Sequence, residues 1–284
     1  MAGKTSHRGK DDLVTGSKEA DCRENYQNCT RFRVLTVFSL ALMVICGLWS
    51  FADHRLVDGA PVWAKPMKFA FSFAIFFATI EVFESFMSAR LRRGKPLQIA
   101  FGVMSVCFLA EMVYIFYQAA RAEPSHFNLS SLFHTVMYSG LMFASAICIL
   151  IVNLYIAWLI KHDHEAHISP VLREAVWLGG LLTFLLTMIV AIYLSAQDGH
   201  FVGAHPEGAP TLPVLGWSRV AGDLRPAHFL SLHAMQLLPL IAFALNRRGS
   251  LGRRSLFCWS ALYAVFTMAV FCQALMGYPL IPVA

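Results

Sequence analysis

The chain has 284 residues, of which 57% are apolar and 14% are charged, and its mean hydropathy is +0.57. Because a soluble globular domain carries about 25% charged residues, this composition excludes an ordinary soluble enzyme. The net charge is +6, but no basic stripe interleaved with aromatic residues accompanies it, so nucleic acid is not expected as a partner.

Seven apolar stretches are long enough to cross the ~30 Å hydrocarbon core of a bilayer as helices. They are Phe32–Ala52, Pro66–Met87, Leu97–Ala120, Ser131–Ile160, Glu174–Gln197, Pro226–Asn246 and Leu256–Gly277. Glycine and proline residues lie near several of their ends, as expected where helices stop. The sequence therefore predicts an all-α polytopic membrane protein built as a bundle of seven transmembrane helices.

The segment before the first apolar stretch is polar. We predict that residues 1–31 form a disordered basic tail and that residues 32–284 form the transmembrane domain, with a long outer loop at 198–225. The tail is too long for the charged start of a secretory signal, and no small-residue cleavage site follows the first apolar run. That run is therefore interpreted as a signal anchor.

The distribution of lysine and arginine predicts the orientation, because basic residues are retained on the cytoplasmic side. Alternate connecting segments, together with the tail, carry 17 of these residues, whereas the opposite side carries six. We therefore expect a cytoplasmic N-terminus and an outer C-terminus.

Polar residues that would be costly in lipid are concentrated at the predicted outer ends of the helices. Glu111, Tyr114 and Gln118 are spaced i, i+3 and i+7 and share one face of the third helix. His134 lies near the start of the fourth helix. The sixth helix opens with Asp223, Arg225, His228 and His233, and seven of the 11 histidines fall on or near this side.

This concentration leads to the main functional hypothesis, an outer polar site under the fifth loop that binds a metal ion or haem b. Its proposed ligands are His134, His228 and His233, and its proposed catalytic or proton-relay residues are Glu111, Tyr114, Gln118, Asp223 and Arg225. Imidazole ligands on facing helices, oriented by hydrogen-bond partners, suit such a centre. The protein would then be a membrane oxidoreductase or hydrolase acting on a lipid-soluble substrate.

Two other functions remain open at this point. A proton-coupled transporter would use Glu111 and the outer histidines, and it would need Glu81, Glu84 and Asn153 to line a path across the membrane. A sensor or assembly factor would signal through the basic tail. Membrane lipids and a lipid-soluble small molecule are the expected partners, and a homo-oligomer is left open.

Three segments resemble a group of bacterial multi-pass inner-membrane proteins with no assigned activity. They are Trp63-Ala-Lys-Pro-Met-Lys-Phe, Gln118–Arg121 followed by Ser125-His-Phe-Asn128, and Gly216-Trp-Ser-Arg-Val-Ala-Gly-Asp-Leu-Arg225 continuing into His228, His233 and Gln236. The resemblance covers most of the helical body and excludes the tail. It implies a bacterial inner-membrane protein and transfers no catalytic residue.

Overall fold

Long apolar helices dominate the computed structural model, which describes residues 31–283 apart from 198, 207, 214 and 247–251. Seven of the described helices are long and apolar enough to span a membrane. In chain order they are α1 (Arg31–Trp49), α2 (Ala64–Phe86), α3 (Lys95–Ala120), α4 (Leu132–His162), α5 (Pro170–Ser195), α6 (Arg225–Asn246) and α7 (Arg253–Leu275).

All seven predicted helices are confirmed, with each end within four residues of its predicted position. The protein is therefore a multi-pass integral membrane protein of the all-α class. The predicted disordered tail lies outside the described residues, apart from Arg31.

One end of the bundle, called the loop end here, is formed by residues 50–63, 121–131, 199–224 and 276–283. It carries two short pairs of antiparallel strands. In one, β1 (Leu56–Val57) pairs with β2 (Ala60–Pro61); in the other, β3 (Phe201–Val202) pairs with β4 (Gly222–Asp223). Hydrogen bonds join its segments: Arg55 Nη2 donates to the Ala120 carbonyl at 3.0 Å, and Val283 N donates to the Arg219 carbonyl at 3.1 Å.

The opposite end, called the basic end, contains a single helical turn at Ala89–Arg92. The Ser88 amide donates to Asp163 Oδ2 at 2.7 Å, and the His167 amide donates to the Phe86 carbonyl at 2.8 Å. These bonds tie the link after α2 to the link after α4.

Helix α4 changes geometry near the loop end. Its first turn, Leu132–Thr135, is α-helical and is capped by the Ser131 hydroxyl, which accepts a hydrogen bond from the His134 amide. The next seven residues, Val136–Met142, form a π-helix, and the α-helix resumes at Phe143. A π-helical segment rotates the following side chains and is frequent at functional sites.

The half of the bundle nearest the basic end is filled by an apolar cluster. Its buried members include Phe77, Met104, Phe108, Ile156 and Ile160, and the rings of Phe77 and Phe108 meet edge to face at 5.1 Å. Lipid supplies little hydrophobic drive between helices, so this half is stabilised mainly by van der Waals packing.

Helices α5 and α6 approach each other closely because small residues lie at their contact. A Cβ added at Gly179 would lie 3.0 Å from the Ala234 carbonyl oxygen. Hydroxyl groups also form hydrogen bonds between these two helices. Thr183 Oγ1 accepts from the Met235 amide at 2.9 Å, and Thr187 Oγ1 donates to Ser231 Oγ at 3.1 Å. Interhelical hydrogen bonds of this kind are typical of membrane bundles.

We predict that Gly180→Ala destabilises the bundle. A Cβ at this position would lie 2.6 Å from Ala157 Cβ on α4, so the two helices must separate, at a cost of about 1–3 kcal/mol. Denaturant or thermal unfolding in detergent measures this loss. Gly102→Ala is the matched control because nothing lies within 4 Å of its added Cβ. The double variant Gly180→Ala/Ala157→Gly should regain most of the stability, and no rescue would contradict the proposed contact.

Candidate functional site

A cavity of about 500 Å³ lies among helices α2 to α6 in the half of the bundle nearest the loop end. Most of its lining is apolar, including Phe69, Phe73, Phe76, Met142, Leu150 and Ile192. A smaller group of polar side chains shares the wall: Glu111, His126, Tyr138, His200, His228, His233 and Gln236. Ligand sites commonly combine an apolar lining with a few polar groups in this way.

The polar residues occupy two depths. His126 and His200 come from connecting segments at the loop end, and His228 lies one turn into α6. With a rise of about 1.5 Å per residue, His233 and Glu111 lie roughly 12–14 Å below the ends of their helices. The cavity therefore has an upper tier of three histidines and a lower tier that contains His233, Glu111 and Gln236.

Three buried polar atoms on this wall have no hydrogen-bond partner among the described residues. They are Glu111 Oε1, His200 Nδ1 and His228 Nδ1. Glu111 is only 5% exposed. Because leaving a buried polar group unsatisfied costs about 1–3 kcal/mol, these atoms suit a ligand that supplies the missing partners.

The two histidines from the loop end are neutral at pH 7. Burial lowers the pKa of His126 well below its ordinary value, and the nearby Lys65, His200 and His228 lower it further. Burial also lowers the pKa of His200 to about 4, with Arg225 and Lys65 adding repulsion. A neutral imidazole offers one donor and one acceptor nitrogen, so both rings can hydrogen-bond an uncharged ligand.

The described residues of the loop between α5 and α6, within 199–224, are called the roof here. One ion pair fixes this loop. The Asp223 carboxylate accepts from the Ser218 amide at 2.8 Å and from Arg225 Nη2 at 2.7 Å. Arg225 Nη2 also donates to the Gly216 carbonyl, and Lys68 Nζ donates to that of Leu215. Asp223 and Arg225, which were predicted as catalytic residues, thus hold the roof and are not among the residues that line the cavity.

Close packing also fixes the roof against α7. A Cβ added at Gly222 would lie 2.1 Å from the Ala274 carbonyl oxygen, so only glycine fits there. The two ends of this loop lie next to each other, because the Leu224 amide donates to the His200 carbonyl at 3.0 Å. This bond places His200 above the start of α6.

The structure separates His134 from the other two predicted ligands. His134 Nδ1 lies 3.4 Å from Gln118 Nε2, and His134 Nε2 lies 3.5 Å from Glu123 Oε2. Gln118 also donates to the Pro124 carbonyl at 3.1 Å. Neither His134 nor Gln118 lines the cavity, whereas His228 and His233 both do. The predicted trio is therefore not assembled, and the described residues contain no group of three or more His, Cys, Asp or Glu that could hold a metal ion.

Tyr114, another predicted relay residue, is buried at 2% exposure and packs beside Ile115 and Met142. Its hydroxyl finds no partner among the described residues. Tyr114 lies beside the cavity and lines a separate groove with Met137. Of the five predicted catalytic residues, Glu111 alone lines the cavity itself.

Sequence reasoning did not place His126, His200 and Tyr138 in the site. The first two were counted among the outer histidines without a position, since nothing in a loop sequence shows where it folds. The Ser125-His-Phe-Asn128 segment was the available signal for His126. In the structure the His126 ring lies 5.7 Å from the Tyr138 ring, and the His200 ring lies 5.0 Å from that of Phe127.

The residues that a transport path would need do not line the cavity. Glu81 pairs with Arg33 at 2.8 Å. Glu84 and Asn153 are buried, at 1% and 2% exposure, in the half that holds the apolar cluster. Within the described part of the chain, the polar lining of the cavity therefore stops above this cluster.

Compared with known protein families, with curated protein sequences and with solved structures, the chain matches none of them.

We predict that stability falls as the pH is lowered from about 7 to 4.5. Folding keeps His126 and His200 neutral, so between the ordinary pKa near 6.5 and the lowered values only the unfolded chain gains protons. The contribution of His200 is on the order of 2–3 kcal/mol. It is fully present above about pH 7 and is lost towards the lowered pKa.

Thermal unfolding in detergent at several pH values measures this effect. His200→Gln should flatten the profile, whereas His54→Gln, at an exposed position of the first loop, should retain the wild-type slope. Equal slopes in all three proteins would contradict the burial of a neutral His200.

Proposed function

We propose that this membrane protein binds a lipid-soluble small molecule with a hydroxyl-bearing head group in the loop-end cavity and exchanges a proton with that hydroxyl. One observation carries the proposal: Glu111, His200 and His228, each with an unpartnered polar atom, line a cavity whose wall is mostly apolar. An apolar wall favours a lipid-soluble ligand, and the unpartnered atoms favour one with polar groups at one end.

The unpartnered atoms indicate the chemistry of the head group. Glu111 Oε1 is an oxygen atom that accepts hydrogen bonds, and it lies in the lower tier. A hydroxyl group would donate to Glu111 and accept from a histidine N–H. An alcohol, a phenol or a hydroquinone meets this requirement, whereas an ester or a plain hydrocarbon supplies no donor.

The same groups support proton exchange. A carboxyl group in a nearly dry wall and neutral imidazoles within reach of a ligand are the usual components of general acid–base chemistry. His228, His200 and His126 extend from the lower tier towards the loop end. We propose that the Glu111 carboxyl group and the ligand hydroxyl exchange a proton and that the histidines connect Glu111 to the surface.

The metal or haem hypothesis does not enter this proposal, because His134 lies apart from His228 and His233. A membrane oxidoreductase or hydrolase remains compatible with binding and proton exchange as its first steps. Proton-coupled transport is less well supported, since Glu81, Glu84 and Asn153 are not among the residues that line the cavity.

We also propose that the loop end faces outward and that the protein resides in a bacterial inner membrane. The excess of lysine and arginine at the basic end supports the orientation. The resemblance of three segments to bacterial inner-membrane proteins supports the location.

We predict that Glu111→Leu weakens the binding of a hydroxyl-bearing probe. Saturation binding of tritiated 4-butylphenol to purified protein should show a Kd raised about 10–100-fold, because a buried ligand hydroxyl left without its partner costs roughly 1–3 kcal/mol. His228→Leu should act in the same direction. His134→Ala, outside the cavity, should leave the Kd unchanged.

Unchanged binding in Glu111→Leu would contradict the proposed site. Metal analysis and a visible spectrum of the same preparations test the earlier hypothesis. Stoichiometric metal or a haem band that disappears in His228→Leu would make the cavity histidines ligands.

We predict that a membrane-impermeant thiol reagent labels Thr211→Cys in intact cells and labels His164→Cys only after the membrane is opened. Thr211 lies at the loop end and His164 at the basic end, and both are exposed. The measurement uses a background without the native cysteines. The reverse pattern would contradict the proposed orientation.

A further inference from the structure

A second opening lies on the outside of the bundle beside the cavity. It is a groove of about 420 Å³ between α3 and α4, lined by Leu109, Ala110, Val113, Tyr114, Tyr117, Phe133, Met137 and Leu141. Val113 and Phe133 are 67% and 52% exposed. Because these apolar side chains belong to membrane-spanning helices, the groove faces lipid.

The groove and the cavity share one thin wall. Tyr114 and Met142 pack together, with Met137 against them. Met142 faces the cavity, while Tyr114 and Met137 face the groove. A single layer of side chains, called the partition here, therefore separates the two spaces.

The π-helical segment of α4 produces this arrangement. Within Val136–Met142, Tyr138 and Ser139 line the cavity and Met137 and Leu141 line the groove. One stretch of helix therefore supplies both walls. Methionine side chains are unbranched and adaptable, so Met137 and Met142 are the members of the partition that can most easily change rotamer.

The partition also contains a polar group without a partner. Tyr114 is 2% exposed, and its hydroxyl has no hydrogen-bond partner among the described residues. Glu111, whose Oε1 is also unpartnered, precedes Tyr114 by three residues and so lies on the same face of α3. A ligand oxygen held by Glu111 would lie next to the partition and could reach the Tyr114 hydroxyl.

We propose that the groove between α3 and α4 binds the long apolar chain of the cavity ligand, which passes through the partition while its hydroxyl-bearing head remains beside Glu111. This inference rests on the proposed function. The ligand class is thereby narrowed to a single-chain amphiphile, such as a long-chain phenol or alcohol, that enters from the bilayer side. Two observations support this occupant: Tyr114 and Met137 of the groove pack against Met142 of the cavity, and the partition contains the buried Tyr114 hydroxyl.

The test compares two probes of equal head group and different chain length, 4-butylphenol and 4-dodecylphenol, on the purified full chain. The variant Ala110→Trp fills the groove from its α3 side. The control position Val106 lies one turn before Ala110 in α3, is 68% exposed and does not line the groove, so Val106→Trp is the matched variant. Both substitutions face lipid, so both variants are expected to fold, and the unfolding temperature of each is measured.

Ala110→Trp should raise the Kd of 4-dodecylphenol about tenfold and change that of 4-butylphenol less than twofold. Val106→Trp should change neither. Tyr114→Phe, which keeps the ring and removes the hydroxyl, should weaken the binding of both probes, because the head group lies at the partition in each case.

Other results would overturn either the groove as the site of the ligand chain or the proposed function itself. Equal effects of Ala110→Trp on both probes, or no effect on either, would overturn the groove as the chain site and leave the cavity proposal intact; the groove would then hold only lipid of the bilayer. If neither probe binds the wild-type protein, the proposed function fails and this inference fails with it.

Discussion

The structure depends on one constraint: a polar group inside a membrane must find its partner within the protein, since lipid offers none. Most of the chain obeys it. Backbone groups are paired within helices, and hydroxyls such as Thr183 and Thr187 on α5 are paired with α6. Against this background the unpartnered atoms around the cavity are conspicuous, because they are costly and lie together on one wall.

The two halves of the bundle satisfy this constraint in different ways. Near the basic end, aromatic and aliphatic side chains such as Phe77 and Met104 surround the buried Glu84 and Asn153, and Arg33 pairs with Glu81 at the surface. Near the loop end the interior is hollow and contains histidines and a carboxyl group. Rigid packing below and a roof fixed by Asp223 and Arg225 above hold the polar groups around a space that a ligand can fill.

The site also shows how a few residues set the geometry. Gly222 lets the roof lie against α7, and Gly180 lets α5 approach α4. The π-helical segment of α4 turns neighbouring residues towards two different spaces. As a result, Tyr114, Met137 and Met142 pack together between the cavity and the groove.

The sequence by itself determined the seven helices, because runs of about 20 apolar residues can satisfy their backbone in lipid only as helices. It also predicted a polar site at the loop end, and of the residues proposed for that site Glu111, His228 and His233 line the cavity. Helical spacing placed Glu111, Tyr114 and Gln118 on one face, yet Gln118 bonds the neighbouring loop and Tyr114 borders the groove. Only the tertiary structure decided that His126 and His200 join the site while His134 does not. The physical reason is that the path of a loop and the rotation of each helix are set by contacts between distant residues, which periodicity along one chain segment does not contain.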